Sequence, residues 1–216
     1  MGKLQNRPEE YKRIIDLCRI HGIGSHISNI IGFPAQSTRN VREHVTHLKE
    51  LSPTAASFYV LCPIPGTEQY SDFLTKDLIV EKNLDRFDGT CLTWQHPLMS
   101  QKELDDLLFE AYRRFFSLGH LASNLRSING SVHSQLSYAA ITVGNSAFHR
   151  WSAASRTHPM SGGLGRVRVD RCEDFMEERK KRYGIELVPL PNNLKLPELD
   201  QEFNRRLNPR LNAGAI

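Results

Sequence analysis

Asn29-Ile30-Ile31-Gly32-Phe33-Pro34-Ala35-Gln36-Ser37 closes an apolar run that starts at Ile23, and its reading decides the fold. The run is short, β-branched and bounded by glycines, which is the pattern of a buried strand. Gly32-Phe33-Pro34 ends it, because glycine tolerates a tight turn and proline cannot continue a ladder. A second run, residues 56–62, has the same character and enters Pro63-Ile64-Pro65-Gly66. No regular element tolerates that sequence, so it reads as a loop.

Helical patterns surround the two runs. Before the first, Pro8 suits an opening turn, Glu9 and Glu10 suit its positive end, and Tyr11, Ile14, Ile15 and Cys18 recur at helical spacing up to His21-Gly22. Between the runs, Ser37 or Thr38 caps a helix whose apolar face is Val41, Val45, Leu48 and Leu51, with Pro53 after its end. After the second run, Thr67 caps a short helix through Lys76. Residues 8–76 therefore read helix, strand, helix, strand, helix, an alternation that predicts an α/β layout with parallel strands. Residues 77–99 read as irregular, with a turn at Asp88-Gly89. Ser100 and Glu103 form a capping box ahead of an amphipathic helix carrying Leu104, Leu107, Leu108, Ala111, Tyr112, Phe115 and Phe116.

Beyond Gly119 the composition changes. Residues 121–155 are rich in Ser, Ala, Asn and His and read as helical in pieces with a thin apolar face. Residues 161–165 form a glycine-rich break, residues 170–183 a charged helix, residues 185–190 a short strand or extended arm, and residues from 192 onward a polar tail. The charge follows the same division. From Leu121 onward there are 14 Lys and Arg against 9 Asp and Glu, whereas residues 1–120 hold 14 against 15. A basic tail suits an acidic partner, nucleic acid or an anionic membrane, and a solvated surface is its plainest reading. No apolar run approaches a membrane span, and the start lacks a secretory pattern, so a cytoplasmic protein with reduced thiols is expected.

The two loops carry a resemblance. Residues 29–37 resemble the fifth-strand segment of radical S-adenosylmethionine (SAM) enzymes, especially those related to cobalamin-dependent members, where apolar-apolar-Gly-Phe-Pro-Gly-Glu-Thr is common. Residues 57–68 resemble the sixth-strand segment with its Pro-x-Pro-Gly-Thr ending, and the helix ending Tyr112-Arg113-Arg114-Phe115-Phe116 resembles the segment after the barrel in those enzymes. The match covers residues 5–117. It implies an α/β fold, a partial (β/α)6 TIM-like barrel made of the last βα units in residues 1–118, followed by a mostly helical, basic extension in residues 119–216. It implies that Asn29, Ile31, Gly32, Phe33, Pro34, Leu61, Pro63 and Pro65 line the adenine or methionyl part of SAM. Ala35 stands where the family often has Gly, and Gln36-Ser37 replaces Glu-Thr.

The larger departure is the missing Cys-x3-Cys-x2-Cys. A [4Fe–4S] cluster needs thiolates close together on one loop, and Cys18, Cys62, Cys91 and Cys172 are far apart in sequence. The expected function is a fragment of a radical SAM enzyme that keeps part of the SAM side without the cluster and is inactive alone. The alternative is a non-catalytic binding or assembly module that pairs through exposed strand edges with another polypeptide, such as one carrying the missing half, or with its own copies. Nucleic acid is the weaker expectation for a partner, resting on Arg166, Arg168 and Arg171, and cobalamin belongs to relatives rather than to this chain.

Other constellations read more simply. His44 and His47 share a helix face at a zinc-compatible spacing, but nothing nearby completes a ligand set, so a solvent-facing helix is the simpler account. His96 beside Trp94 reads as a packed loop residue, Cys62 as a structural thiol, Gly162 to Arg168 as a hinge, and Phe115 and Phe116 as core.

Overall fold

A computed structural model describes residues 7–81, 86–128, 130–160 and 181. The chain divides into two compact units, residues 1–61 with 97–166, and residues 62–96 with 167–216. The glycine break at 161–165, the charged helix at 170–183, the arm at 185–190, the polar tail, Cys172 and Arg166, Arg168 and Arg171 all lie outside the described residues.

The first unit opens with α1 (Pro8–Ile20), β1 (His26–Ile31), α2 (Thr38–Leu51) and β2 (Ala55–Val60). Proline occupies the first turn of α1, and Gly22 follows with φ 68°. A Cβ on Gly22 would stand 2.7 Å from the Cβ of Ser134, so glycine is required there for close approach as well as for backbone angle. Ser37 caps α2 in a reciprocal box with Asn40, and Val41, Val45 and Leu48 form its buried face. β1 and β2 pair in parallel, with Asn29 opposite Phe58 and Ile31 opposite Val60. The helix, strand, helix, strand order is thus the one the periodicity predicts, with each strand shorter than its apolar run.

Three further helices complete this unit. They are α4 (Gln101–Phe115), α5 (Leu118–Arg126) and α6 (Val132–Ala154), and α3 (Glu68–Thr75) belongs to the second unit. Ser100 and Glu103 form the expected capping box on α4. This helix packs on α2 and β2 and buries Leu104, Leu108, Tyr112 and Phe115. Phe115 and Phe116 are both core. The region expected as helical pieces contains the end of α5 and then a 23-residue helix, α6. Its packing uses small and polar residues, among them Tyr138, Thr142, Ser146, His149, Ser152 and Ala153, all buried. A scan for large apolar residues sees only a thin face there.

The second unit contains α3 (Glu68–Thr75), capped by Thr67. An isolated antiparallel bridge joins Ile79 and Trp94. Phe73 packs edge-on against Trp94 at 4.7 Å between ring centroids, and Tyr70 against Phe87 at 5.8 Å. His96 is buried with its ring 5.2 Å from Trp94, a packed loop residue.

The expected partial barrel is not formed. Among the described residues there are two strands, in one two-stranded sheet, with six helices. A barrel needs every strand paired on both sides. Here each strand is paired on one side only, and the outer edge of β2 meets side chains, not a strand. No described helix is long and apolar enough to cross a membrane.

Candidate functional site: the strand ends and the two sheet edges

Ala55 donates its N–H to the Ser25 carbonyl and Leu61 to that of Ile31. Odd-numbered residues of both strands therefore turn their backbone groups toward each other, and even-numbered ones turn them outward. On β2 the outward residue at mid-strand is Phe58. Its N–H donates to the Tyr112 hydroxyl at 3.1 Å. Its carbonyl accepts from the same hydroxyl at 3.2 Å and from His158 Nε2 at 2.7 Å. The Met160 N–H donates to His158 Nδ1 at 3.1 Å, which places the imidazole proton on Nε2.

The outer edge of β1 differs. No described residue bonds the outward backbone groups of His26, Ser28 or Ile30. All three side chains are exposed, Ile30 by 48%. Unpaired strand edges of this kind are templates for another strand.

The residues expected at a SAM site divide between the two units. In the first unit, Ile31 is fully buried. Asn29 is buried, with its amide nitrogen donating to the Ile27 carbonyl at 3.2 Å and the Ser57 carbonyl at 3.4 Å, while His44 Nε2 donates to its oxygen at 3.3 Å. Both side chains lie on the α2 side of the sheet, committed to packing. Leu61 is buried. Gly32 takes φ 79°, and Phe33 and Pro34 are exposed beyond the strand. Gln36 Oε1 accepts the N–H groups of Gly32 at 2.9 Å and Phe33 at 3.1 Å. Gln36 thus serves to brace the loop. In the second unit, Pro63 is buried and Pro65 exposed. Thr67 closes their loop by donating its hydroxyl to the Ile64 carbonyl at 2.7 Å.

The bracing by Gln36 has a measurable consequence. Gln36→Ala leaves two loop N–H groups without their acceptor, and Gln36→Glu keeps one. Alanine is expected to lower stability by about 1 kcal/mol, glutamate by less, in urea unfolding curves.

Of the described thiols, Cys62 and Cys91 are near enough to interact electrostatically. Cys18 lies on α1, whereas Cys62 and Cys91 belong to the second unit. Cys62 is half-buried, and burial pushes its thiol up despite contact with Thr93 and the Gly89 backbone. Among the described residues no three His, Cys, Asp or Glu side chains stand together to hold a metal. The donors present therefore do not fit an iron–sulfur cluster. His44 and His47 also point to different tasks, His44 toward Asn29 and His47 toward Glu50 at 3.4 Å.

Comparison with protein-family models, with curated proteins and with solved structures finds no match to this chain. The family resemblance accordingly stands on the residues of the two loops alone.

Two features escaped sequence reasoning. Tyr112 and His158 converge on Phe58 from positions 46 residues apart. His26 Nε2 and Ser57 Oγ stand 2.8 Å apart across the two strands. Tyr112 had shown only as one apolar position of a helix face, and nothing in a sequence says where its hydroxyl ends.

Proposed function

We propose that this chain is a non-catalytic assembly fragment of radical SAM type, completed by a second polypeptide that adds a strand to the outer edge of β1. One observation carries the reading, the asymmetry of the two edges. The segment resembling the sixth and last strand of the family is β2, and its outer edge is filled by Tyr112 and His158. The segment resembling the fifth strand is β1, and its outward residues His26, Ser28 and Ile30 are exposed. In the family, the strands that precede the fifth lie beyond that edge. The open edge is therefore the one where the cluster-bearing half would join. Strand addition supplies affinity through main-chain hydrogen bonds and specificity through alternate side chains.

On this reading the chain contributes the Gly32-Phe33-Pro34 loop to an adenosyl-binding surface, with the exposed Phe33 ring as an apolar contact for adenine. SAM cleavage then requires the cluster held by the other polypeptide. Anaerobic treatment of this chain alone with iron and sulfide is expected to give neither cluster absorbance nor 5′-deoxyadenosine, and either product would overturn the reading.

The partner is tested at the edge itself. Ser28→Pro removes an outward N–H and blocks strand addition while leaving the β1–β2 ladder intact, since proline is tolerated where the N–H faces away from the sheet. Tagged wild-type chain is expected to retain a polypeptide containing Cys-x3-Cys-x2-Cys from its native cells, and the Ser28→Pro chain to lose it with little change in melting temperature. Retention of that polypeptide by both chains, or by neither, removes the proposal.

A further inference from the structure

We infer that Tyr112 and His158 form a guard on the outer edge of β2, which keeps that edge from pairing with a second copy of this chain and so leaves strand addition to β1. The one-sidedness that this gives to assembly rests on the reading of β1 above, whereas the guard itself does not.

The argument starts from the strand. Phe58 sits at the centre of β2, and its N–H and C=O both point away from β1. Left bare, they would offer a neighbouring strand its first pair of hydrogen bonds. Tyr112 and His158 consume both. The tyrosine hydroxyl alone accepts from the N–H and donates to the C=O, as a paired strand would. The imidazole adds a second donor at 2.7 Å on the carbonyl. These contacts satisfy the buried backbone of Phe58 and at the same time leave it nothing to offer a second strand.

The placement of His158 is itself built. It follows α6 by a turn in which Arg156 takes φ 53°, a conformation that non-glycine residues rarely adopt. Arg156 is pinned there by Asp105 and Asp106, the latter at 2.8 Å, and by lying over the Phe109 ring at 5.1 Å. Ser152 donates its hydroxyl to the Thr157 carbonyl, and the Thr157 N–H returns to the Ser152 carbonyl at 3.0 Å. The Met160 N–H then fixes the imidazole tautomer that donates to Phe58. Six contacts on residues 152–160 thus converge on delivering one N–H to one carbonyl.

The guard is tested in the Ser28→Pro background, which silences the β1 edge. Adding His158→Ala, which strips the Phe58 carbonyl of its imidazole donor, is expected to at least double the weight-average mass by light scattering as concentration rises. His158→Gln retains a side-chain N–H donor and is expected to keep the parent mass. If His158→Ala loses its far-UV circular dichroism, Arg156→Ala, which loosens the turn without touching the edge, is judged by the same mass reading. A folded His158→Ala or Arg156→Ala chain that keeps the parent mass overturns the guard. So does self-association in His158→Ala that appears only when Ser28 is restored, because the pairing edge is then β1. Loss of partner capture at β1 leaves all of these readings unchanged, so the two proposals fail separately.

Discussion

Tyr112→Ala is expected to lower unfolding stability by about 3–5 kcal/mol, near the limit for a single core substitution. Tyr112 has no exposed surface. Its ring meets Phe58 edge-on at 5.2 Å, stacks on Phe116 at 6.4 Å and approaches His149 at 5.6 Å. Alanine removes the ring from the junction of β2, α4 and α6 and also strips the Phe58 N–H of its acceptor. Tyr112→Phe separates the two contributions. It keeps the packing and leaves a buried N–H unpaired, for an expected loss of about 1–3 kcal/mol. Urea unfolding followed by circular dichroism measures both. A phenylalanine variant as damaged as the alanine one would assign the effect to the hydroxyl, and an undamaged one would assign it to the ring. Burial also pushes the Tyr112 hydroxyl well above its ordinary range, so it remains a donor and acceptor at any pH where the chain folds.

The second large effect is acid lability. His120 and His149 are both buried, and burial is the leading cause that brings each down to about 4. Lys49 and Arg19 near His120 act in the same direction, against a backbone contact from Pro53. His26 and His158 do so near His149. The folded state thus holds both imidazoles neutral, while the unfolded chain protonates them near 6.5. Between those values the unfolded state binds more protons, so stability rises with pH. The contribution is complete above about 6.5 and is lost as pH falls from there toward about 4. Two such groups are expected to lower the melting temperature by roughly 5 °C or more between about pH 7 and pH 5. His149→Phe, which keeps the aromatic contact with Phe116 at 4.3 Å, is expected to flatten part of that slope. A melting temperature indifferent to pH across this window would refute the burial argument.

Both effects arise from residues whose sequence context is bland. His149 sits in a stretch of Ser, Ala and Asn where no apolar periodicity marks a helix of 23 residues. Its packing depends on small side chains that let α6 come close, as at Gly22 and Ser134, and closeness is not written as hydrophobicity. Local signals did better. The caps at Ser37, Thr67 and Ser100, the proline start of α1 and the left-handed Gly22 all follow from side chains and backbone within a few residues of where they act. The candidate site was legible as two loops but not in its details. Gln36 was visible as one residue of the first loop, while its role as the brace of Gly32 and Phe33 needed coordinates.

What the sequence determined by itself is therefore the order of the first elements, the caps of their helices, and the parallel βαβ unit, because these depend on periodicity, caps and turns that act over short distances. What only the tertiary structure decided is how many strands join that unit and which of its edges is open. That outcome depends on whether side chains from positions 112 and 158 reach the backbone of position 58. Contacts at such separations depend on the path of the whole chain, and the Gly32-Phe33-Pro34 stretch that suggests a barrel strand contains no record of them.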